Sequence, residues 1–479
     1  MVSNIYLHTF ESLEILSFTY FVMTKFFKRT TYPIFILFAL VFLQTSCNKN
    51  NNQPQASIEI YPSICSTSTA FTLDATGSWD EEDESEHLQI RFDWEHDGVW
   101  ETEWVTDKVH ENIFSEEGEY IVNIEIKDTH GEVSQTTANL TVTNSSDLIP
   151  SNSPFSYNVG INYETWANRK NRNIEKDLDE ITKYFKLIRT YHDVGIGTPD
   201  TIISPTLEPV IKYILAHPEL KIELSLGTAT SALNIGNNPG FMVNKTYTDK
   251  WVQVLTEAFG SVENTKKYVK VILLGNEVDR VAPGDAAAFK DYITKWIPHS
   301  FENMKASLAE AGMPEIPVST TISNYPADSA ANPVSFTSTK YINEHWSSQW
   351  NSGQAFVFFN HYTEDMNKTD FGYDIKYFHT VDNELGGSPS VYVGETGYDA
   401  TFGEENQVKV INQIFSWLDG QYGGHKTTIP LFLFQAFDQP FASPGKPTKF
   451  GIFEENAQNI PQGPKKGISI PVWISKPKG

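Results

Sequence analysis

Two glutamates each close an apolar run. Glu277 ends "VKVILLGNE" (269–277) and Glu395 ends "SVYVGE" (390–395). A carboxylate at the end of a buried strand needs a reason, because burial disfavours its charged form. A facing pair of carboxyls is what glycoside hydrolysis requires: one protonates the leaving oxygen, and the other attacks the anomeric carbon or activates water. In the retaining mode the two groups stand about 5–5.5 Å apart. Carboxylates so close drive their pKa values apart, which keeps one protonated near neutral pH. Taken singly, each glutamate is more often a helix cap or salt-bridge partner. The two at matching strand ends, with Asn276 just before Glu277, point to catalysis. Other apolar runs end in Asn162-Tyr163, Arg189-Thr190-Tyr191-His192, Asn360-His361-Tyr362 and Phe437-Asp438. His361 reads as a hydrogen-bonding wall residue rather than a base. No His/Cys/Asp group has metal-ligand spacing, "VGINYETW" is no phosphate loop, and no Gly-x-Ser-x-Gly elbow occurs. No metal and no cofactor is expected.

The elements that would carry these residues run from Phe155 to the end. Strand candidates are 157–163, 185–193, 220–227, 269–277, 316–323, 355–362, 390–395 and 429–437. Between most of them lie stretches with apolar residues at three and four spacing, such as "NIEKDLDEITKYF" and "EENQVKVINQIFSWLDGQ". Ser204 is placed to cap a helix that has Pro205 at its first position. Eight strands alternating with helices predict a (β/α)8 barrel over 155–479, whose site lies at the carboxyl ends of the strands. After Phe437 the chain is rich in Pro and Gly, and no eighth helix is evident.

These blocks carry a family likeness. "VILLGNEV", "VYVGETGY", "FQAFDQPF" and "KFGIF", with "VGINY" and "IRTYHD", resemble glycoside hydrolase family 17, the β-1,3-glucanases and related glucanosyltransferases. The resemblance covers essentially all of 155–479. It implies Glu277 as acid/base, Glu395 as nucleophile, Asn276 on the sugar 2-hydroxyl and Tyr362 steadying Glu395. It also implies Tyr163, Tyr191, Phe437, Asp438 and Phe450 along the cleft. The eighth-strand block departs from the family pattern Phe-Asp-Glu-x-Trp-Lys, reading Phe437, Asp438, Gln439, Pro440, Phe441, Ala442. A glutamate and a lysine are absent together, as if an ion pair had been removed as a unit. The expected acidic group before "FGIF" falls near Pro447, and Tyr398 replaces a tryptophan.

The segment before the barrel reads differently. From 56 to 143, runs such as "QIRFDWEHDG" and "EYIVNIEIKD" alternate with period two between turn signals, which predicts a small β-sandwich. "FTLDATGSWDEED", "IRFDWEHDG" and "EEGEYIVNIEIKD" resemble the PKD, or immunoglobulin-like, family, with Trp94 in the place of its buried tryptophan. Asp80 to Glu86 hold six acids in seven residues, read as a solvated turn with calcium binding as the alternative. The module reads as a spacer, with sugar contact through Trp100 or Trp104 as the alternative. Residues 144–154 read as a polar linker and 48–55 as a tether. In 1–47, Lys25, Lys28 and Arg29 precede an apolar run from Tyr32 to Leu43 and then Thr45-Ser46-Cys47. That pattern describes a secretory signal starting at Met23. It resembles a bacterial lipobox with Gln44 at the usual apolar position, which implies lipidation at Cys47. The expected location is the envelope of a Gram-negative bacterium, at the outer membrane or cell surface.

The 479 residues are 40% hydrophobic and 13% aromatic, enough for a large core, and carry a formal net charge of −24. That charge argues against a nucleic-acid partner, since phosphate binding needs clustered Lys and Arg. A neutral polysaccharide is not repelled by it. The expectation is therefore a monomeric, retaining β-1,3-glucan hydrolase, anchored to a membrane by lipid. Its rivals are a β-1,3-glucan transglycosylase on the same barrel, a non-catalytic glucan-binding lipoprotein and a structural adhesion protein.

Overall fold

The computed structural model describes residues 51–142 and 153–477, apart from residue 68, 165–171, 192–193, 197–200, 204, 206, 229–232, 236–237, 280–290, 324–355, 363–367, 386–389, 423–426, 428 and 444–445. The leader with Cys47, most of the linker, His192 and the Ser204 cap lie outside the described residues. Among the described residues, no helix is long and apolar enough to cross a membrane.

Residues 56–142 form two facing antiparallel layers. One holds β1 (Glu59–Tyr61), β3 (Phe71–Asp74) and β5 (Val109–Asn112), in the order β1-β3-β5. The other holds β2 (Ile64–Cys65), β4 (Gln89–Asp93), β6 (Gly118–Lys127) and β7 (Val133–Val142), in the order β2-β7-β6-β4. Strand β2 alone runs parallel to its neighbour. Alternation places Phe71, Leu73, Ile90, Phe92, Val122 and Ile124 between the layers. Trp94 is half-buried, stacked on Phe92 at 5.0 Å. Cys65 is fully buried as expected of a small apolar residue, and burial pushes its thiol up to about 11. Asp80 holds the acidic run as a turn, its Oδ1 accepting the N–H groups of Glu82 and Asp83 at 2.8 Å. The Arg91 guanidinium lies 4.2 Å from the Trp100 ring and 4.6 Å from that of Trp104, which also meets Lys127.

The rest of the chain is a closed parallel barrel. Its strands are β8 (Val159–Asn162), β9 (Leu187–Thr190), β10 (Glu223–Gly227), β11 (Val269–Leu273), β12 (Val318–Ser319 continuing as Thr321–Ile322), β13 (Phe356–Asn360), β14 (Ser390–Thr396) and β15 (Leu431–Leu433). Each pairs in parallel with the next, and β15 returns to β8 through Leu431↔Val159 and Leu433↔Ile161. The two pieces of β12 pair outward to β11 and to β13, which closes the ring. All eight expected strands are present, so the chain is a (β/α)8 barrel preceded by a small immunoglobulin-like sandwich.

Helices cover the barrel: α1 (Ile174–Tyr184), α2 (Leu207–Ala216), α3 (Lys245–Phe259), α4 (Val262–Tyr268), α5 (Ile297–Glu310), α6 (Gly372–Leu385) and α7 (Glu404–Leu418). The slot of the eighth helix is filled by other means. A hairpin, Phe453–Glu455 with Pro461–Pro464, and a short 3-10 turn, Val472–Ser475, lie against α1. Lys465 and Gly467 reach α7 at Gln407 and Asn412.

Strand alternation sorts side chains between two shells. Leu187, Val271, Phe358, Tyr392 and Phe432 point into the barrel and close its floor, while Ile188, Ile272, Phe359, Val391 and Val393 face the helices. The polar site is built on top of this apolar floor.

Candidate active site

The site begins with Arg189, one step above Leu187 on β9 and only 1% exposed. An unpaired buried guanidinium would be costly, and here its donors are distributed. Nη1 donates to Gly394 O at 2.6 Å and lies 3.3 Å from Glu395 Oε1. Nη2 donates to Asn276 Oδ1 at 2.8 Å and Thr321 Oγ1 at 3.2 Å. Asn360 adds its Nδ2, donating to Asn276 Oδ1 at 3.2 Å and Glu277 Oε1 at 3.4 Å. Gly394 makes room for this floor, since a Cβ there would stand 2.5 Å from Asn360 Oδ1 and 3.1 Å from Arg189 Nη1.

Glu395 comes from β14, where strict alternation would send it outward with Val391 and Val393. The register slips against both neighbours at this point. Phe359↔Val393 is followed by Asn360↔Glu395 on one side, and Val393↔Leu431 by Thr396↔Leu433 on the other. Such an irregularity re-aims a side chain, and it turns the carboxylate into the mouth. There Tyr191 donates to Oε1 and Tyr362 to Oε2, both at 2.6 Å.

The Tyr191 hydroxyl also lies 2.7 Å from Asn162 Oδ1. The Asn162 amide is oriented by its Nδ2, which donates to Gly394 O and Leu433 O. One phenolic proton therefore serves two acceptors, and an ionised Glu395 takes it because the charge-assisted bond is the stronger. Burial, then the Glu395 charge, hold both phenols well above the ordinary tyrosine range; Arg189 opposes this at Tyr191. Both remain donors.

The Glu395 carboxyl is raised above the ordinary glutamate value. Burial is the main cause, and the Glu277 charge adds to it. Arg189 and the two tyrosine hydrogen bonds pull the other way. Glu277 is half-buried on the loop after β11, with φ of 50°. That left-handed conformation costs a side-chain-bearing residue roughly 1–2 kcal/mol, and it sits where Asn360 reaches the carboxylate. Glu277, Glu395, Asn276, Tyr191 and Tyr362 thus form one constellation. Phe450 completes its rim, 5.1 Å from Tyr362 and 5.5 Å from Phe434 between ring centroids. His361 is a wall residue: its Nε2 lies 3.2 Å from Asp374 Oδ1, and its N–H donates to Glu395 O at 3.0 Å.

Three expected cleft residues are elsewhere. Tyr163 follows the inward Asn162, so alternation turns it out of the barrel, where its hydroxyl donates to Asp177 of α1 at 2.7 Å. Phe437 is 1% exposed, packed on Tyr163, Phe453 and the Arg172 guanidinium. Arg172 pairs in turn with Asp177 and Glu455. Asp438 accepts Gly451 N–H at 2.7 Å and faces Lys465 Nζ at 3.2 Å. Their positions correct the expectation that they touch substrate; they fasten the C-terminal hairpin to the barrel.

Arg189 and Asn360 were visible at strand ends without an assigned role, and inward alternation on β9 and β13 was the available signal. Glu164 was missed altogether. One step beyond the outward Tyr163, its carboxylate accepts from Gln439 Nε2, and its charge raises Tyr191. An acid from the first strand therefore stands beside the altered eighth-strand block.

No family model matches the sequence, and no curated protein does. Solved structures give partial likenesses. A carbohydrate-binding module of the β-sandwich superfamily is 23% identical over 20% of this chain and 37% of its own, with a TM-score of 0.18. A plant β-glucan endohydrolase is 14% identical over 61% of this chain and 96% of its own, with a TM-score of 0.43. The PKD1 domain of Vibrio anguillarum Epp is 19% identical over 19% and 96%, with a TM-score of 0.16. The barrel and sandwich assignments rest on the strand order and register described above.

Proposed function

We propose that the protein is a retaining glycoside hydrolase acting on β-1,3-glucan. The observation that carries this reading is the grip on Glu395: a carboxylate re-aimed into a barrel mouth, held by Tyr191 and Tyr362, backed by Arg189 and facing Glu277. Two hydroxyl donors and a guanidinium 3.3 Å away orient the carboxylate and favour its charged form, as a nucleophile requires. Glu395 attacks the anomeric carbon, and the bond from that carbon to the glycosidic oxygen breaks while Glu277 gives the oxygen its proton, so the released chain departs with a free hydroxyl at its new non-reducing end. Glu277, now ionised, takes a proton from water, and that water's oxygen displaces Glu395. The β-1,3 linkage follows from the family resemblance, and lipid anchoring at Cys47 remains part of the same proposal.

Glu395→Ala is expected to abolish release of reducing ends from laminarin. Glu277→Gln is expected to slow it by a factor on the order of 10²–10⁴, the range of a lost general acid. Both variants should remain folded, Glu277→Gln unfolding at the wild-type temperature and Glu395→Ala at a lower one, since it takes the carboxylate away from Arg189, Tyr191 and Tyr362. Wild-type turnover in either would reject the assignment.

A further inference from the structure

The sandwich does not hang from the barrel as a spacer; it is seated on it. In the turn between β1 and β2, Ser63 donates its backbone N–H to Asp370 Oδ2 at 2.9 Å, out of contact with solvent. Ile64 belongs to the barrel's core cluster rather than to that of its own sandwich. Gly372, the first residue of α6, has no space for a side chain: a Cβ there would stand 2.5 Å from Ser63 Oγ and 2.8 Å from Ser63 N. Around this seat Lys376 donates to Glu119 at 2.9 Å, and Lys409 Nζ lies 5.2 Å from the Tyr61 ring centroid. A buried hydrogen bond, a shared apolar side chain and a glycine-tight approach together describe fixed docking.

The seat is on the catalytic end of the barrel, because the first turn of α6 follows β13. Asp374 in that turn pairs with His361. His361 donates its N–H to Glu395 O, and the next residue, Tyr362, holds Glu395 Oε2. A continuous set of buried contacts therefore runs from Ser63 through Asp370 and α6 to the carboxylate. We propose that the sandwich is a working part of the catalytic unit, and that Asp370, acting through the first turn of α6, is a positioning residue for Tyr362 and Glu395.

The test is Gly372→Ala in the full chain. Alanine is the best helix former, so helix propensity favours the change, while the new methyl wedges Ser63 away and presses on Asp370 Oδ1, 3.2 Å from the added Cβ. Amide hydrogen exchange is read at 61–65 and at 356–362, with laminarin kinetics alongside. The expected result is exchange faster by about tenfold or more at both segments. A fall in kcat on the order of 10- to 100-fold should accompany it, the cost of a small misplacement at a reacting group, with KM nearly unchanged. Ile64→Ala, which empties the seat without changing any residue of α6, should move every readout in the same direction. Faster exchange at 61–65 with unchanged exchange at 356–362 and unchanged kcat would overturn the proposal. So would no change at 61–65 in either variant, since the seat would then lie elsewhere. The kinetic arm rests on the function proposed above. If the wild type hydrolyses no glucan, that reading fails, and the exchange comparison still decides this one.

Discussion

Glu395 shows how much a single carboxylate depends on its donors. Burial and Glu277 raise it, and Arg189, Tyr191 and Tyr362 restrain the rise. In the proposed mechanism the group must be ionised to attack, so the acid limb of activity is expected to belong to it and to lie above the ordinary glutamate range. Tyr362→Phe removes a hydrogen bond to the charged form, which raises the carboxyl further. The limb of kcat/KM should therefore move to higher pH, and activity on the acid side should fall roughly 10- to 100-fold, matching the 1.5–3 kcal/mol of a hydrogen bond to a charge. A pH profile superimposable on the wild type would refute this role. At this scale the sequence was legible where a carboxylate interrupts an apolar run, as at Glu277 and Glu395, which the fold brings together. The family resemblance misled at Tyr163 and Phe437, which it placed along the cleft and which are buried outside the barrel mouth. Period-two alternation from Asn162 sends Tyr163 outward and Glu164 inward.

At the scale of elements, the eight strands were readable because a strand covered on both faces is apolar almost throughout. The slip in β14 was not readable, since a bulge is a relation between strands rather than a property of one. Nor was the hairpin that replaces the eighth helix, which is held by contacts far apart in sequence, such as Arg172 with Glu455 and Lys465 with Asp438.

The first turn of α6 carries its own prediction. Burial pushes the Asp370 carboxyl up to about 6, with Asp374 adding to the rise and the N–H groups of Gly372 and Ser63 opposing it. Folding then binds a proton that the unfolded chain releases near pH 4. The associated stability is fully present below that pH and is lost as pH climbs through about 6. A shift of this size is worth about 3 kcal/mol. Urea midpoints of the wild type and Asp370→Asn should differ in their pH dependence between pH 4 and 7, the wild type losing more stability on the alkaline side. Parallel curves would show that Asp370 does not titrate in this way.

For the whole molecule, two modules and their order were evident from the switch of hydrophobic period near residue 150. The seat between them was not, because Ser63, Ile64 and Gly372 look unremarkable in sequence and gain meaning only where the two modules meet. With a sandwich seated on the barrel and a carboxylate pair in the mouth, the reaction proposed for the molecule is double displacement at an anomeric carbon. Proton NMR of laminarin digestion at early times tests this most directly. Attack by Glu395 followed by water inverts the centre twice, so the first new reducing ends should be β-anomers that mutarotate later to the α form. First-formed α-anomers would contradict the account, since Glu395 would then activate water instead of attacking.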